Sequence, residues 1–250
     1  MLLGIAYFPP VSYFALIAEG MVISDEKTVP STVYIEAKET YHKQSWRNRC
    51  RIYAADGPAY LNFPIVHEGG THQIPITEIK VDYSTPWVLK TKRAIASAYE
   101  SSAYFDHYKD ELFAILDSHP ATLFELDLTI LKFFLAKTGI AADLRFTEEY
   151  YSPITAAGRE SHLRAFTRIG REAQRAGRTP DCGGYGEDFR EVLHPKRVNT
   201  VLRDLGLEKP YFQVFAQKHG FISDLSIMDL LFNEGPDSIL YLKTSIPRSR

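Results

Sequence analysis

Apolar residues open the chain in a pattern that predicts a strand, a helix and a second strand. Leu2 to Phe8 is a short apolar run closed by two prolines, and Val11 to Ala18 has the composition of a helix. A second short run, Met21 to Ser24, follows the helix. This order is typical of a βαβ unit, in which the strands are parallel and a functional loop follows the first strand.

The next segments predict further β structure. Two alternating runs, Cys50 to Ala54 and Ala59 to Ile65, flank an Asp-Gly-Pro sequence at 56–58. An Asp-Gly pair between two such runs indicates a β-hairpin. The apolar residues of Ile76 to Asp82 favour another strand, so the first third of the chain is predicted to be mainly β with one early helix.

Helical patterns begin after Pro86. Three segments without internal Pro or Gly predict helices, namely Trp87 to Tyr99, Tyr104 to Leu116 and Thr122 to Thr138. The third is apolar on all sides, which is typical of a central buried helix. After a stretch poorer in apolar residues, Phe212 to Leu242 recovers a strong apolar pattern and is expected to return to the core.

These elements together predict the α/β class. We expect an N-terminal Rossmann-like βαβ unit with a small, partly parallel sheet, followed by a helical region. The parts are residues 1–85, which would hold the ligand pocket, and residues 86–250, which would pack back on them. No Pro/Ser-rich linker divides the two parts, so one continuous domain is the alternative.

Composition excludes several classes of protein. Twenty-nine Lys and Arg against 31 Asp and Glu give a net charge of −2, which does not favour nucleic acid or an anionic membrane as a partner. No apolar stretch approaches the ~20 residues that span a bilayer, and the N-terminal segment lacks the features of a signal peptide. Only Cys50 and Cys182 are present, too few for a disulfide framework. We therefore expect reduced thiols and a cytoplasmic protein.

A cationic segment is the first candidate for chemistry. Lys43, Arg47, Arg49 and Arg51 lie within nine residues, interleaved with Gln44, Trp46 and Asn48. If the segment is extended, the three arginines share one face, because strand side chains alternate. Guanidinium groups suit phosphate or carboxylate, and the Trp46 ring suits a base or a sugar. The alternative, at even odds, is an edge strand whose charges prevent aggregation.

A second cationic set lies on a predicted helix. Arginines recur at spacings of four and three, at positions 164, 168, 171, 175 and 178. They would form one face, either a platform for phosphate or nucleic acid or a merely exposed cationic surface. The second interpretation is favoured, since no aromatic residues interleave with the arginines.

Other motifs for metal or nucleotide chemistry are missing. The eight histidines never show ligand spacing on one helix, and His67 and His72 beside Glu68 indicate a loop more than a cation site. No metal is therefore expected. The chain also lacks GxSxG, GxGxxG and the phosphate loop of NTPases.

The third candidate is the polar set within the apolar C-terminal run. Asp224 stands where the N-cap of a helix is expected, with Leu225 and Met228 following at helical spacing. Asp229 and Asn233 lie four residues apart on another face. They would either contact a ligand or form an internal polar network, and the network is favoured.

In order along the chain, five segments resemble the WbqC-like protein family: Ala6-Tyr-Phe-Pro-Pro-Val-Ser-Tyr-Phe14, Lys43-Gln-Ser-Trp-Arg-Asn-Arg-Cys-Arg-Ile52, Ala94-Ile-Ala-Ser-Ala-Tyr-Glu-Ser-Ser-Ala-Tyr-Phe-Asp-His-Tyr108, Asp188-Phe-Arg-Glu-Val-Leu-His-Pro-Lys196 and the run from Gln213 to Pro236. The resemblance spans nearly the whole chain. It implies a bacterial protein, in some members linked to O-antigen or other surface polysaccharide assembly, without implying a reaction. The polar motif positions that it carries over are Tyr7, Tyr13, Lys43, Arg47, Asn48, Arg49, Gln213, Asp224, Asp229 and Asn233.

A weaker similarity concerns the helix that begins Ser12-Tyr13-Phe14. The strand, aromatic turn and helix resemble the corresponding unit of nucleotidylyltransferases with a Rossmann-like fold, where a Gly-His pair stabilises the triphosphate. Ser12 and Tyr13 stand at that place here, without the imidazole. The similarity therefore supports the fold and not adenylyl transfer.

The leading hypothesis is a transferase that acts on a nucleotide-linked or phosphorylated sugar, or on its amino or acyl donor, in surface polysaccharide synthesis. The catalytic candidates are Lys43, Arg47, Arg49 and Asp229. The ligand-binding candidates are Tyr7, Tyr13, Trp46, Asn48, Gln213 and Asn233. His42, His194 and Asp229 are alternative general bases, and the sequence points to no particular cofactor. Alanine at Arg47 or Arg49 is expected to abolish stabilisation by ligand without unfolding the protein.

Two other functions stay open on the sequence. One is a non-catalytic scaffold that recruits biosynthetic partners through an aromatic surface. The other is a nucleotidylyltransferase-like fold without the usual catalytic histidine. A pocket where the 43–51 segment meets the first turn favours an enzyme, and a flat aromatic patch favours the scaffold.

Overall fold

The fold is given by a computed structural model, which describes residues 1–23, 27–66, 74–150, 185–196 and 198–243. The first part contains β1 (Leu2–Gly4), α1 (Val11–Gly20), β2 (Val22–Ile23), β3 (Thr28–Val29), β4 (Ser31–Glu36), β5 (Arg49–Ala54) and β6 (Gly57–Asn62). The middle part contains α2 (Trp87–Tyr99), α3 (Phe105–Asp117), α4 (Leu123–Lys137) and β7 (Ala142–Phe146). The last part contains α5 (Val201–Asp204), α6 (Ala216–His219), α7 (Ile227–Glu234) and α8 (Ser238–Leu242). The class is α/β, as predicted.

A parallel sheet of three strands in the order β1-β4-β7 organises the molecule. Its central strand, β4, pairs Ile35 with Leu3 of β1 and Val33 with Leu144 of β7. All four residues are apolar; Leu3, Val33 and Ile35 are fully buried and Leu144 on the outer strand is half-buried. The predicted βαβ unit is therefore present.

The second strand of this unit is not the one predicted. Val22–Ile23 pairs antiparallel with Thr28–Val29 in a separate two-stranded ribbon, and the parallel partner of β1 is β4. The run after the helix is too short to cross the sheet, whereas Ser31–Glu36 offers six residues with alternating burial. The first strand also ends early, since Phe8 has a φ of 43° and belongs to the turn.

Of the other two β predictions, one is confirmed and one is wrong. The hairpin is confirmed, as β5 and β6 pair in register from Arg49 with Asn62 to Ala54 with Gly57. The predicted strand from Ile76 to Asp82 is wrong. Ile76–Glu78 is a short 3-10 helix, and the remaining residues make only the isolated bridges of Val81 to Ile65 and Lys80 to Thr122.

The three predicted helices after Pro86 are confirmed as α2, α3 and α4. Thr122 begins α4 with a capping box, in which its side chain accepts from the Glu125 N–H and Glu125 accepts from the Thr122 N–H. Nine residues of α4 are buried, so this helix lies in the core. One hydrophobic cluster continues from the turn after β1 through α1 and α4 to α7 and α8.

The C-terminal part of the chain fixes both ends of α1. At the N-terminal end, the Asp224 carboxylate accepts from the Ser12 N–H at 2.8 Å. At the C-terminal end, the Lys243 ammonium donates to the Ala18 carbonyl at 3.0 Å. Each charge has the sign that stabilises its end of the helix dipole. The C-terminal run thus returns to the core, as predicted.

Asp224 therefore caps a different helix from the one its sequence position suggests. The cap of α7 is Ser226, whose side chain accepts from the Met228 N–H at 3.3 Å. Asp224 has a φ of 55° and directs its carboxylate to α1 and to the Asn199 amide. Its distance in sequence from Ser12 explains why local spacing gave the wrong helix.

No helix in the described ranges is long and apolar enough to cross a bilayer.

Replacing Asp224 with alanine is expected to destabilise the protein by about 1–2 kcal/mol, because it leaves helix N–H and amide donors without an acceptor. Urea unfolding measures the change. The matched control is Asp237→Ala, which removes an N-cap aspartate that makes no side-chain hydrogen bond. Equal effects of the two substitutions would show that the Asp224 cap contributes nothing.

Candidate functional site

The carboxyl ends of the parallel strands carry buried ion pairs. Glu36 ends β4, and one of its oxygens accepts from the Arg190 Nη1 at 2.7 Å while the other accepts from the Thr147 hydroxyl at 2.7 Å. Asp188 binds the remaining nitrogens of Arg190, at 2.9 Å to Nε and 2.7 Å to Nη2. All three nitrogens of the guanidinium group therefore meet carboxylates, Nη1 that of Glu36 on β4 and the other two that of Asp188, two residues away.

A second ion pair lies beside the first strand. Arg47 donates from Nε to Glu39 Oε1 at 3.0 Å and from Nη2 to Glu39 Oε2 at 2.7 Å. Burial by itself would lower the pKa of Arg47, but the carboxylate of Glu39 raises it above its usual value. A Cβ on Gly4 would lie 2.7 Å from Arg47 Nη2, so any larger residue at the end of β1 would displace the guanidinium that binds Glu39.

We call these five residues, Glu36, Glu39, Arg47, Asp188 and Arg190, the edge cluster. It contains three carboxylates and two guanidinium groups, all buried. A cavity of about 10 Å³, the size of about one water molecule, borders it. The cavity is lined by backbone and side chains of Gly4, Ile5, Ala6, Tyr13, Trp46, Arg47, Phe189, Arg190 and Leu193.

Aromatic side chains border the same place. The Tyr13 hydroxyl donates to the Gly4 carbonyl at 3.1 Å, and this contact fixes the ring against the end of β1. Tyr150 lies with its ring centroid 5.8 Å from the guanidinium carbon of Arg190. Trp46 lines the cavity and its carbonyl accepts from the Tyr7 N–H at 2.8 Å. The segment after β4 and the turn after β1 thus meet at the cavity.

His194 follows the cavity residue Leu193. Burial lowers the pKa of His194, Glu191 opposes this, and Arg47 lowers the pKa further. Its Nδ1 accepts from the Lys196 N–H at 3.2 Å. A neutral imidazole whose Nδ1 accepts carries its proton on Nε2, so His194 is a donor at that nitrogen.

The three arginines predicted to share one face have separate partners. Arg47 precedes β5 and binds Glu39, whereas Arg49 donates to the Gln44 carbonyl at 2.8 Å. Arg49 also stacks over the Tyr60 ring at 5.1 Å. Arg51 donates to the carbonyls of Ser223 and Asp224. A single site made of the three guanidinium groups was therefore the wrong expectation.

The other candidates from this segment lie at different depths. Lys43 is exposed and has no partner among the residues described. The Asn48 amide donates to the Phe63 carbonyl at 3.1 Å and holds the base of the hairpin. Tyr7 is fully buried, with its ring 4.7 Å from that of Phe63. Of the candidates from the first 50 residues, the structure brings Tyr13, Trp46 and Arg47 to the cavity.

The C-terminal candidates form a network of their own. The Asp229 carboxylate accepts from the Tyr211 hydroxyl at 2.6 Å and from the Gln213 amide at 2.7 Å. Gln213 also bonds both backbone groups of Ile222, and Asn233 donates to the Asp229 carbonyl. Burial raises the pKa of Asp229 to about 6, although its donors, including the Tyr99 hydroxyl, lower it. This network shares no hydrogen-bond partner with Arg47.

Four members of the edge cluster were missed as site residues. Glu36 ends a strand that the sequence did not reveal and Glu39 follows it, while Arg190 pairs with Glu36 across 154 positions of the chain. The available signal was the Asp-Phe-Arg triplet inside a motif shared with the family. The triplet by itself does not show which distant carboxylate binds Arg190, because that depends on the fold.

Some predicted features lie outside the described residues. These are the five regularly spaced arginines between 164 and 178, the His67 and His72 pair, and Cys182. Cys50 is buried, and burial raises the pKa of its thiol. No group of three or more His, Cys, Asp or Glu in the described part is arranged to hold a metal ion.

Comparison with known proteins gives the class of this chain. The model of the WbqC-like protein family matches residues 6–241, and the chain belongs to this family. A curated relative, Uncharacterized protein Rv1507c of Mycobacterium tuberculosis (strain ATCC 25618 / H37Rv), is 27% identical over 245 residues. The match covers 95% of this chain and 94% of the relative. No solved structure matches the chain.

The ion pair changes the expectation for Arg47. Arg47→Ala is expected to destabilise the protein by about 3–5 kcal/mol, because Glu39 is left charged and buried without a partner. Arg49→Ala removes a more exposed side chain and should cost less than about 1 kcal/mol. Urea unfolding at pH 7 compares the two. Equal and small costs would mean that Arg47 and Glu39 do not form a buried pair in solution.

Asp229 predicts a pH dependence of stability. Its pKa of about 6 lies above the usual value near 4, so the folded state holds this proton more tightly and the stability contributed is lost as pH rises from about 4 to 6. Relative to Asp229→Asn, the wild-type protein is expected to lose up to about 3 kcal/mol across this window. Tyr211→Phe removes a donor to the carboxylate and should move the loss to higher pH. A pH-independent difference between wild type and Asp229→Asn contradicts the prediction.

Proposed function

We propose that this protein is a transferase that acts on a nucleotide-linked or phosphorylated sugar, or on its amino or acyl donor, in the assembly of surface polysaccharide. The observation that supports it is the edge cluster with its cavity at the carboxyl ends of the parallel strands. In open α/β sheets, ligands bind in the crevice at this edge. The family membership is consistent with a role near polysaccharide synthesis.

The charge balance assigns different roles to the cations. Arg47 and Arg190 are already neutralised by carboxylates, so they hold the walls of the cavity in place. The charge of a phosphate would be met by cations nearer the surface, which are Lys43, Arg49 and Lys196. Arg49 and Lys196 act electrostatically on His194, which supports their placement on the cavity side of the molecule.

Because the cavity holds about one water molecule, a base or sugar would lie at its rim, against the partly exposed rings of Trp46 and Tyr150. Trp46 and Tyr13 line the cavity, and Tyr150 lies over Arg190. Aromatic faces bind bases and the apolar faces of sugars, while polar groups around them fix orientation. His194, with its proton on Nε2, is the group in this place that donates a hydrogen bond to a leaving oxygen or to a bound phosphate. Of the three candidate bases, His194 is the one whose sequence neighbour, Leu193, lines the cavity, and with Nδ1 engaged it would act there as an acid. We place the reaction in the cytoplasm, in agreement with the reduced thiols that the composition favours.

A thermal-shift screen tests the ligand class. The purified protein is tested against nucleoside diphosphates, nucleotide sugars, sugar phosphates and acyl donors, with inorganic phosphate as the minimal probe. A ligand at 100 times its Kd stabilises the folded state by about 2.7 kcal/mol. Arg49→Ala and Lys43→Ala are each expected to weaken such a ligand by about ten- to a hundredfold, because a hydrogen bond to a charged group contributes about 1.5–3 kcal/mol.

The matched controls are Arg203→Ala and Lys90→Ala, which remove exposed cations from helices away from the edge cluster. They should leave the affinity unchanged. Stabilisation by no compound, with a folded protein, would reject the transferase and favour the non-catalytic scaffold. Equal weakening by all four variants would indicate non-specific charge attraction.

A further inference from the structure

Strand β7 (Ala142–Phe146) is the outer strand of the parallel sheet, and no strand in the described ranges pairs with its second edge. Two hydrogen bonds show which of its backbone groups face β4. The Ser31 N–H donates to the Ala141 carbonyl at 2.9 Å, and the Thr147 N–H donates to the Ile35 carbonyl at 3.1 Å. Because the backbone groups of successive residues point to opposite edges of a strand, the odd-numbered residues of β7 bond to β4 and the even-numbered ones point to the free edge.

The free edge therefore presents the N–H and C=O groups of Ala142, Leu144 and Phe146. None of these groups has a hydrogen-bond partner in the part of the chain that the structure describes. An unpaired row of donors and acceptors is a template for another strand, unless the side chains of the edge repel it. The side chains of β7 therefore decide which strand this edge accepts.

The charged side chains of β7 favour a second copy of the same strand. Asp143 and Arg145 have opposite charges, flank Leu144 and share one face of the sheet. In an antiparallel pair centred on Leu144, Asp143 of each copy lies opposite Arg145 of the other, at a position without hydrogen bonds where the Cα atoms are closest, about 4.5 Å apart. Within one chain, Arg145 binds only the Oδ2 oxygen of Asp143, at 2.9 Å from Nε and 2.8 Å from Nη2, so Oδ1 is left for the second copy.

The other face of β7 gives the same register an apolar contact. Ala142 and Leu144 line a groove of about 470 Å³ together with the C-terminal end of α4 and the loop after it. In the antiparallel pair, Phe146 of one copy lies opposite Ala142 of the other, on the face that carries the groove. The Phe146 ring packs on Phe124 of its own α4, and 43% of the residue is exposed. Its exposed part would cover the groove of the second copy.

We propose that β7 is the interface of a homodimer, in which two copies pair their edge strands antiparallel about Leu144 and the two parallel sheets become one continuous sheet. The backbone bonds of the even-numbered residues, the two ion pairs of the odd-numbered residues and the placement of Phe146 all follow from this one register. A register centred on Ala142 or Phe146 would leave both charges without an opposite partner. The two-fold axis through Leu144 gives the commonest symmetry of soluble oligomers. This inference goes beyond the transferase and does not depend on it.

Charge reversal tests the register. Sedimentation equilibrium of the wild-type protein is expected to give twice the mass of the chain. Asp143→Arg places arginine opposite arginine at both ion pairs, and Arg145→Asp places aspartate opposite aspartate, so each variant should raise the dissociation constant at least about tenfold. An equimolar mixture of the two variants restores an opposite charge at every pair and should form a mixed dimer. Both side chains are largely exposed, at 43% and 55%, so the fold should tolerate the changes.

The matched control is the ion pair of Asp106 and Lys109 at the surface of α3. Asp106→Arg and Lys109→Asp break an ion pair of the same kind away from β7 and should leave the dissociation constant unchanged. A wild-type protein that is monomeric at every concentration overturns the proposal. So does a dimer that neither reversal on β7 weakens, or a mixture of the two variants that stays monomeric.

Hydrogen exchange gives a second measurement that needs no substitution. The N–H groups of Ala142, Leu144 and Phe146 are unpaired in one copy and bonded in the dimer. Their exchange should therefore slow as the protein concentration rises through the dissociation constant. Equal exchange rates of these three groups in monomer and dimer would show that the edge of β7 is not the interface.

Discussion

The ion pair of Arg47 with Glu39 is the interaction on which the carboxyl edge of the sheet depends. Both groups are buried, and neither is tolerable there without the other. Their contact requires glycine at the end of β1, ties the segment before the hairpin to the segment after β4, and forms one wall of the cavity. Arg190 repeats the principle with Glu36 and Asp188, so two guanidinium groups join three stretches of chain, at residues 36–39, 47 and 188–190.

Buried polar groups need a hydrogen-bond partner, and this requirement also explains how the C-terminal part of the chain contacts the N-terminal helix α1. Helix α1 is central, and its termini lie where water cannot satisfy them. Asp224 and Lys243 supply the acceptor and the donor, each from the C-terminal part. The N-terminal βα unit and the C-terminal helices therefore share one hydrophobic core, and the polar contacts fix their register. Asp229, Tyr211 and Gln213 form a third matched set, in which burial of the carboxylate is offset by three donors.

Against this background, Asp127 of α4 is the exception, since its carboxyl is buried and has no hydrogen-bond partner in the described part of the chain. Departures from local rules tend to lie at functional sites, because selection retains a costly group only where it does something.

The sequence by itself determined the α/β class, the hairpin at residues 49–62, the three helices after Pro86 and the membership of the family, because each rests on local periodicity, turn residues or motifs. It also predicted that the 43–51 segment approaches the opening tyrosines, of which Tyr13, Trp46 and Arg47 line the cavity in the structure. Only the tertiary structure decided which strand pairs with β1, that Asp224 caps α1, and that Arg47 is neutralised by Glu39 while Arg190 is held by Glu36. The strand pairing, the cap and the Arg190 pair join residues that are distant in the chain. The Arg47 pair depends on which carboxylate lies nearest to the buried guanidinium in the folded protein. Spacing along the sequence carries no such information, because a charge and its partner are matched by position in space.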